Sequence, residues 1–127
     1  MIKFLLVPLL AAAALSGQKC NRQTAVTNCY KGRLEIKGLC ANYTIAVLEG
    51  AMDPSKIEAS WTDEQTKKSY QNVFALGSPC SFPDSIAEGQ EFYFTLAEPA
   101  QECMVCQAYY PKPSKALSIK VLDKPCR

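Results

Sequence analysis

Histidine is absent from the 127 residues. With it go the Ser/His/Asp and Cys/His triads, the commonest general base and every His-ligated metal site. Basic runs are missing too: the longest is the pair Lys67-Lys68, so the continuous positive surface that nucleic acid or an anionic membrane requires is not encoded. Nucleic acid is excluded as a partner on that ground. The chain also lacks a glycine-rich phosphate loop, an EF-hand loop and any repeat of fixed period. Beyond the amino-terminal stretch no apolar run approaches the roughly 20 residues that cross a bilayer. Eight Pro and six Gly are too few for a low-complexity chain, and 48% hydrophobic with 20% charged residues describes a single globular domain.

What the chain does have is seven cysteines, at positions 20, 29, 40, 80, 103, 106 and 126, and an export signal in front of them. Residues 1–16 combine one cation, Lys3, with an apolar run of roughly a dozen residues and then small residues, the pattern of a signal peptide. Cleavage after Ser16, with Ala14 three positions before the cut, is preferred to cleavage after Ala14. Loss of Lys3 takes the 14 cations to 13 against 12 acids, a mature net charge of about +1. Lys19 stands where lipid attachment at Cys20 needs a small residue, so an ordinary secreted terminus is the simpler reading. Cys20 is the candidate for a free or lipidated thiol. Residues 17–29 are expected to be an amino-terminal segment, partly flexible, and 30–127 a single β domain.

An oxidising compartment makes disulfides the default for Cys29, Cys40, Cys80, Cys103, Cys106 and Cys126. Six cysteines allow 15 pairings, and spacing does not choose among them. Each bridge contributes about 2–4 kcal/mol, comparable with the net stability of a small domain. Cys103-Met104-Val105-Cys106 has the spacing of redox pairs and zinc knuckles. Its flanks read as a strand running into Pro111 rather than as the helix start that lowers a thiol pKa, and neither a second C-x-x-C nor a His is present. No metal site and no cofactor are expected.

Period-2 alternation and β-like segments between turn signals mark seven candidate strands: from Tyr30 to Lys37, Tyr43 to Val47, Ile57 to Trp61, Tyr70 to Leu76, Glu91 to Leu96, Cys103 to Tyr110 and Leu117 to Val121. Asp53-Pro54-Ser55 is turn chemistry, and Thr62 to Lys68, seven polar residues in a row, reads as a hairpin loop. Pro111 to Lys115 reads as a stiff exposed connection. With no helical period in the mature chain, the expected fold is all-β: a small antiparallel barrel or sandwich stapled by disulfides.

Two stretches carry a resemblance. Lys31-Gly32-Arg33-Leu34-Glu35-Ile36-Lys37-Gly38 followed by Tyr43 to Gly50, and then Val73 to Leu76 through Cys80 to Glu88-Gly89-Gln90-Glu91-Phe92-Tyr93-Phe94, resemble in order the netrin-like module of metalloproteinase inhibitors and complement C-terminal domains. The sequence is also similar to small uncharacterised envelope proteins of Bacteroidetes-type bacteria. The first resemblance implies an OB-type barrel. It also implies a mature amino-terminal Cys whose amine and carbonyl chelate a protease zinc, and here the chain departs, because Lys19 precedes Cys20 and no C-x-C opens the mature protein.

No catalytic residue is assigned: the acids are scattered, Asp63-Glu64 and Glu88 to Glu91 fall in turns, and Asp53 and Asp84 beside prolines read as turn caps. Asn42-Tyr43-Thr44 fits the glycosylation sequon, and Asn42 reads equally as a turn residue at a strand start. Trp61, Tyr70, Tyr93, Tyr109 and Tyr110 offer either core and rim filling or a stacking face for sugars or peptides. Filling of core and rim is preferred, since Trp61 shares an apolar strand face with Ile57 and Ala59. Tyr109, Tyr110, Pro111 and Pro113 form the candidate surface patch. The expected function is a non-enzymatic binding or structural module, secreted or in the cell envelope, with a protein, peptide or glycan ligand. The rivals are a netrin-like protease inhibitor and a thiol-disulfide protein using Cys103 and Cys106.

Overall fold

The structure, a computed structural model, describes residues 28–99 and 103–126. The expected signal peptide, its cleavage site and Cys20 lie outside the described residues. Strand β1 (Cys29–Lys37) shows the alternation its sequence predicts, with Tyr30, Gly32, Leu34 and Ile36 buried between half-buried Lys31, Arg33, Glu35 and Lys37. It is followed by β2 (Tyr43–Glu49), β3 (Glu58–Thr62), β4 (Ser69–Leu76), β5 (Glu91–Leu96), β6 (Ala116–Leu117) and β7 (Ile119–Leu122). The hydrogen-bonded order is β3-β4-β2-β1-β5-β7.

Strand β4 organises the sheet. One edge pairs with β2, setting Ile45 opposite Phe74. The other edge pairs with β3 from Ser69 to Val73 and with β6 at Ala75 and Leu76. Segment 116–122 thus bonds to β4 at its start and, through β7, to β5 at its end. Ser78 pins it: its hydroxyl accepts from Ile119 N–H at 2.9 Å and donates to Ile119 C=O at 3.2 Å. Strands β1, β2, β4, β5 and this segment curl around one core as a partly open barrel, interrupted at Ser118 rather than closed by a continuous ladder. The β4–β6 pair is parallel, the one departure from the antiparallel pattern expected.

The barrel is filled by Leu34, Ile45, Phe74, Phe92, Phe94 and Ile119, with Tyr30, Leu76, Phe82 and Ile86 closing its ends. Phe94 is the hub, its ring 5.4 Å from that of Tyr30 and 5.8 Å from those of Phe74 and Phe92. The loop before β5 is drawn over the barrel by Lys37, whose ammonium donates to the Asp84 and Ile86 carbonyls at 3.0 Å each. Asp53 caps its turn as expected, accepting from Ser55 N–H at 2.9 Å. Asp84 contributes its carbonyl to Lys37 instead.

Three disulfides use all six expected cysteines: Cys29–Cys126, Cys40–Cys106 and Cys80–Cys103. The first ties the start of β1 to the end of the described chain. Three further sequence expectations need correction. Residues 103–110 do not form a strand; tied at Cys103 and Cys106 to two separate points on the barrel, they run as an irregular strap. The expected strand from Leu117 to Val121 is two short strands broken at Ser118. Pro111 and Pro113 are buried rather than exposed.

The burial of the prolines has a structural reason. Thr44, Ala46, Val73 and Ala75 alternate with the core residues of β2 and β4 and so face outward, yet all four are buried outside the core cluster. The strap is anchored on either side of them, and its own Pro111 and Pro113 are buried. It is fixed to one side of them at Cys40 and Gly38, and to the other where Ser114 donates to Glu58 and Lys115 C=O accepts from Ala75 N–H at 2.8 Å.

Candidate functional site

Strap, β1–β2 connection and β3–β4 hairpin meet at one end of the barrel. In the connection, a single 3-10 turn (Leu39–Ala41) has Cys40 and Ala41 in the left-handed region at φ 58° and 59°, which reverses the chain tightly enough to present Cys40 to the strap. Asn42 closes the turn, its amide donating to the Leu39 carbonyl at 2.8 Å. Gly38 lets the strap approach: a Cβ there would stand 2.6 Å from Cε1 and 2.8 Å from Cζ of Tyr110. The Cys40–Cys106 bridge and this contact seat Tyr109 and Tyr110 against the connection.

The hairpin supplies the opposite wall. Its tip is tied by Asp63 N–H to Lys68 C=O at 2.9 Å and by Lys67 N–H to Asp63 C=O at 2.8 Å. The Asp63 carboxylate accepts from Gln65 N–H at 2.8 Å, and Asp63 is buried, where its sequence position suggested a solvated turn charge. Trp61 and Tyr70 are cross-strand partners whose rings stack at 5.8 Å and 29°, and the Lys68 ammonium sits 5.2 Å from the Tyr70 centroid. Partial burial raises the Tyr70 phenol above its ordinary pKa, with the charge of Asp63 adding to it.

Between the walls lies an open cleft of about 360 Å³ bounded by Asn42, Trp61, Glu64, Tyr109, Tyr110 and Lys112. The Tyr109 hydroxyl donates to the Glu64 carboxylate and bridges strap to hairpin. That hydrogen bond, reinforced by the carboxylate charge, holds the Tyr109 phenol above the usual tyrosine range. The lining combines aromatic surface, one carboxylate, one ammonium and one amide, which suits stacking and hydrogen bonding to a ligand. Its one carboxylate, Glu64, is committed to Tyr109.

Trp61 refines the sequence reading. It lies outside the core cluster, only partly buried, and Ala59 on its face is exposed, so of the core and rim filling expected, Trp61 takes the rim. Tyr109 is 80% exposed and Tyr110 partly buried, so one of the adjacent pair is outward as expected, through the fixing of the strap rather than through strand alternation. Of the predicted patch, Pro111 lines the cleft, and Pro113 is fully buried without lining it. Tyr93 stands apart on β5, with the Lys31 ammonium 5.9 Å from its ring. Lys112 lies within the stretch 109–113 that holds the predicted patch, whereas Glu64 reads from sequence only as a turn acid, its one signal being the polar run beside the single Trp. Asn42, singled out as a sequon, sits on the cleft wall.

Cys103 and Cys106 are not bonded to each other; each is held in a bridge to a distant turn. Among the described residues, no group of three or more His, Cys, Asp or Glu side chains is arranged to hold a metal ion. Among them also, no helix is long and apolar enough to cross a membrane. The three disulfides point to an oxidising environment. Comparison with family models, curated proteins and solved structures gives no match for this chain.

Proposed function

We propose that this chain is a non-enzymatic binding module, exported by the segment 1–16 to the extracellular space or the cell envelope, whose ligand occupies the cleft between strap and hairpin. One observation carries this reading. Trp61, Tyr109 and Tyr110, from elements far apart in sequence, line one solvent-open cleft instead of joining the core. Aromatic side chains left at a surface cleft cost hydration free energy unless a partner covers them. The architecture adds support by analogy alone, since OB-type barrels bind ligands at the loops joining their strands. The ligand classes that suit the lining are a glycan ring or a peptide carrying proline or aromatic side chains.

Trp61 is the only tryptophan, so its fluorescence reports the cleft directly. Titration with chitotriose and with a proline-rich peptide should give a saturable change for one of them, lost in a Tyr109→Ala/Tyr110→Ala variant of unchanged circular dichroism. Silence of Trp61 toward both probes, or a response unaffected by the double substitution, would remove the cleft as the site. A lipid anchor at Cys20 is a separate proposal, settled by the intact mass of the exported protein. Amino-terminal sequencing of that protein tests the netrin-like inhibitor reading, which requires Cys20 to be the first residue.

A further inference from the structure

The two bridges of the strap end on cysteines three residues apart, Cys103 and Cys106, while their partners Cys80 and Cys40 sit on different turns of the barrel. In each bridge one cysteine is exposed and the other is not: Cys80 against Cys103, Cys106 against Cys40. Residues 103–113 belong to no strand, so no ladder resists their rearrangement. From this arrangement we infer that the strap is a thiol-operated clasp, in which Cys103 and Cys106 exchange their two barrel bridges for a single disulfide between themselves.

The exchange needs two equivalents of an external thiol. The first thiolate attacks exposed Cys80, forming a mixed disulfide there and expelling Cys103 as thiolate. Cys103 then attacks exposed Cys106, forming the Cys103–Cys106 disulfide and expelling Cys40, which takes up a proton. A second external thiol resolves the mixed disulfide at Cys80, leaving Cys80 as thiol and the two external thiols joined as their own disulfide. Two protein disulfides become one, with two protein thiols, and the electrons come from the external pair. Residues three apart come within the Cα separation a disulfide requires when they adopt a turn. Cys29–Cys126 takes no part, because neither of its cysteines is exposed and it has no neighbouring bridge within three residues on the chain.

The product has a strap no longer covalently tied to the β1–β2 connection or to the turn at Pro79–Ser81. Tyr109 and Tyr110 then lose the covalent tether that holds them opposite Trp61 and keep only the Tyr109–Glu64 hydrogen bond and the Tyr110 contact at Gly38. The exchange itself does not depend on the cleft binding a ligand; its consequence, release of that ligand by reduction, does.

The experiment treats the folded protein with reduced glutathione without denaturant, quenches with acid and N-ethylmaleimide, and maps the bridges by mass spectrometry. The expected intermediate has an intact Cys29–Cys126 bridge, a Cys103–Cys106 link within one peptide, and Cys40 and Cys80 alkylated or carrying glutathione. Alkylation of Cys103 and Cys106 in the same molecules overturns the inference. So does opening of one strap bridge with the other left in place, loss of all three bridges together, or no reaction before denaturation.

Discussion

Tyr109 projects into solvent and is nonetheless positioned, because its hydroxyl donates to Glu64 across the cleft. That hydrogen bond, with the carboxylate's charge adding to it, keeps the proton on the phenol above the ordinary tyrosine value of about 10. The contact is therefore complete at neutral pH and is lost as pH rises through the raised value. In a Glu64→Gln variant the Tyr109 component of the tyrosinate absorbance titration, identified by difference against Tyr109→Phe, should move down toward the ordinary range. An unchanged titration would mean the bridge is absent in solution. At this scale the chemistry was partly legible: the aromatic pair stood out in the sequence, whereas its acidic partner lies 45 positions away, and short-range pattern has no means of joining them.

The strap, as an element, owes its position to bonds rather than to secondary structure. Its apolar and aromatic residues read as a strand, but a strand needs a neighbouring edge, and both edges of β4 are taken, one by β2 and the other by β3 and β6. Two disulfides, Tyr110 on Gly38 and the buried Pro111 and Pro113 hold it instead. Replacing Cys40 and Cys106 together by serine should raise amide hydrogen exchange across 103–112 while β1, β4 and β5 keep their protection. Loss of protection in those strands as well would show the bridge supporting the barrel, not only the strap. The β3–β4 hairpin was readable from its polar tip, because seven polar residues between two alternating segments have few other solutions.

For the whole molecule, stability rests on one aromatic-centred core plus the long-range closure of Cys29 on Cys126, 97 residues apart. In the chain-entropy account, a loop of this length stabilises by about 4–5 kcal/mol, against roughly 5–15 kcal/mol in total for a small domain. Phe94, fully buried and touching three other rings, has no route to relax if removed. Phe94→Ala should cost about 3–5 kcal/mol, read as a lower urea midpoint at unchanged slope with the disulfides intact. A cost below about 1 kcal/mol would mean that the barrel is not packed around this ring.

The sequence alone determined the all-β class, five of the seven expected strands and the use of six cysteines in disulfides, because alternation of period two and cysteine count act locally or through composition. Only the tertiary structure decided which cysteines pair, why residues 103–113 lie as a strap, and why Trp61 faces a cleft rather than the core. Those outcomes depend on which edges remain free once β4 has bound three neighbours, and on the points of the barrel that Cys40 and Cys80 happen to occupy. Both are properties of chain segments far apart in sequence, and hydrophobic patterning along a single segment does not contain them.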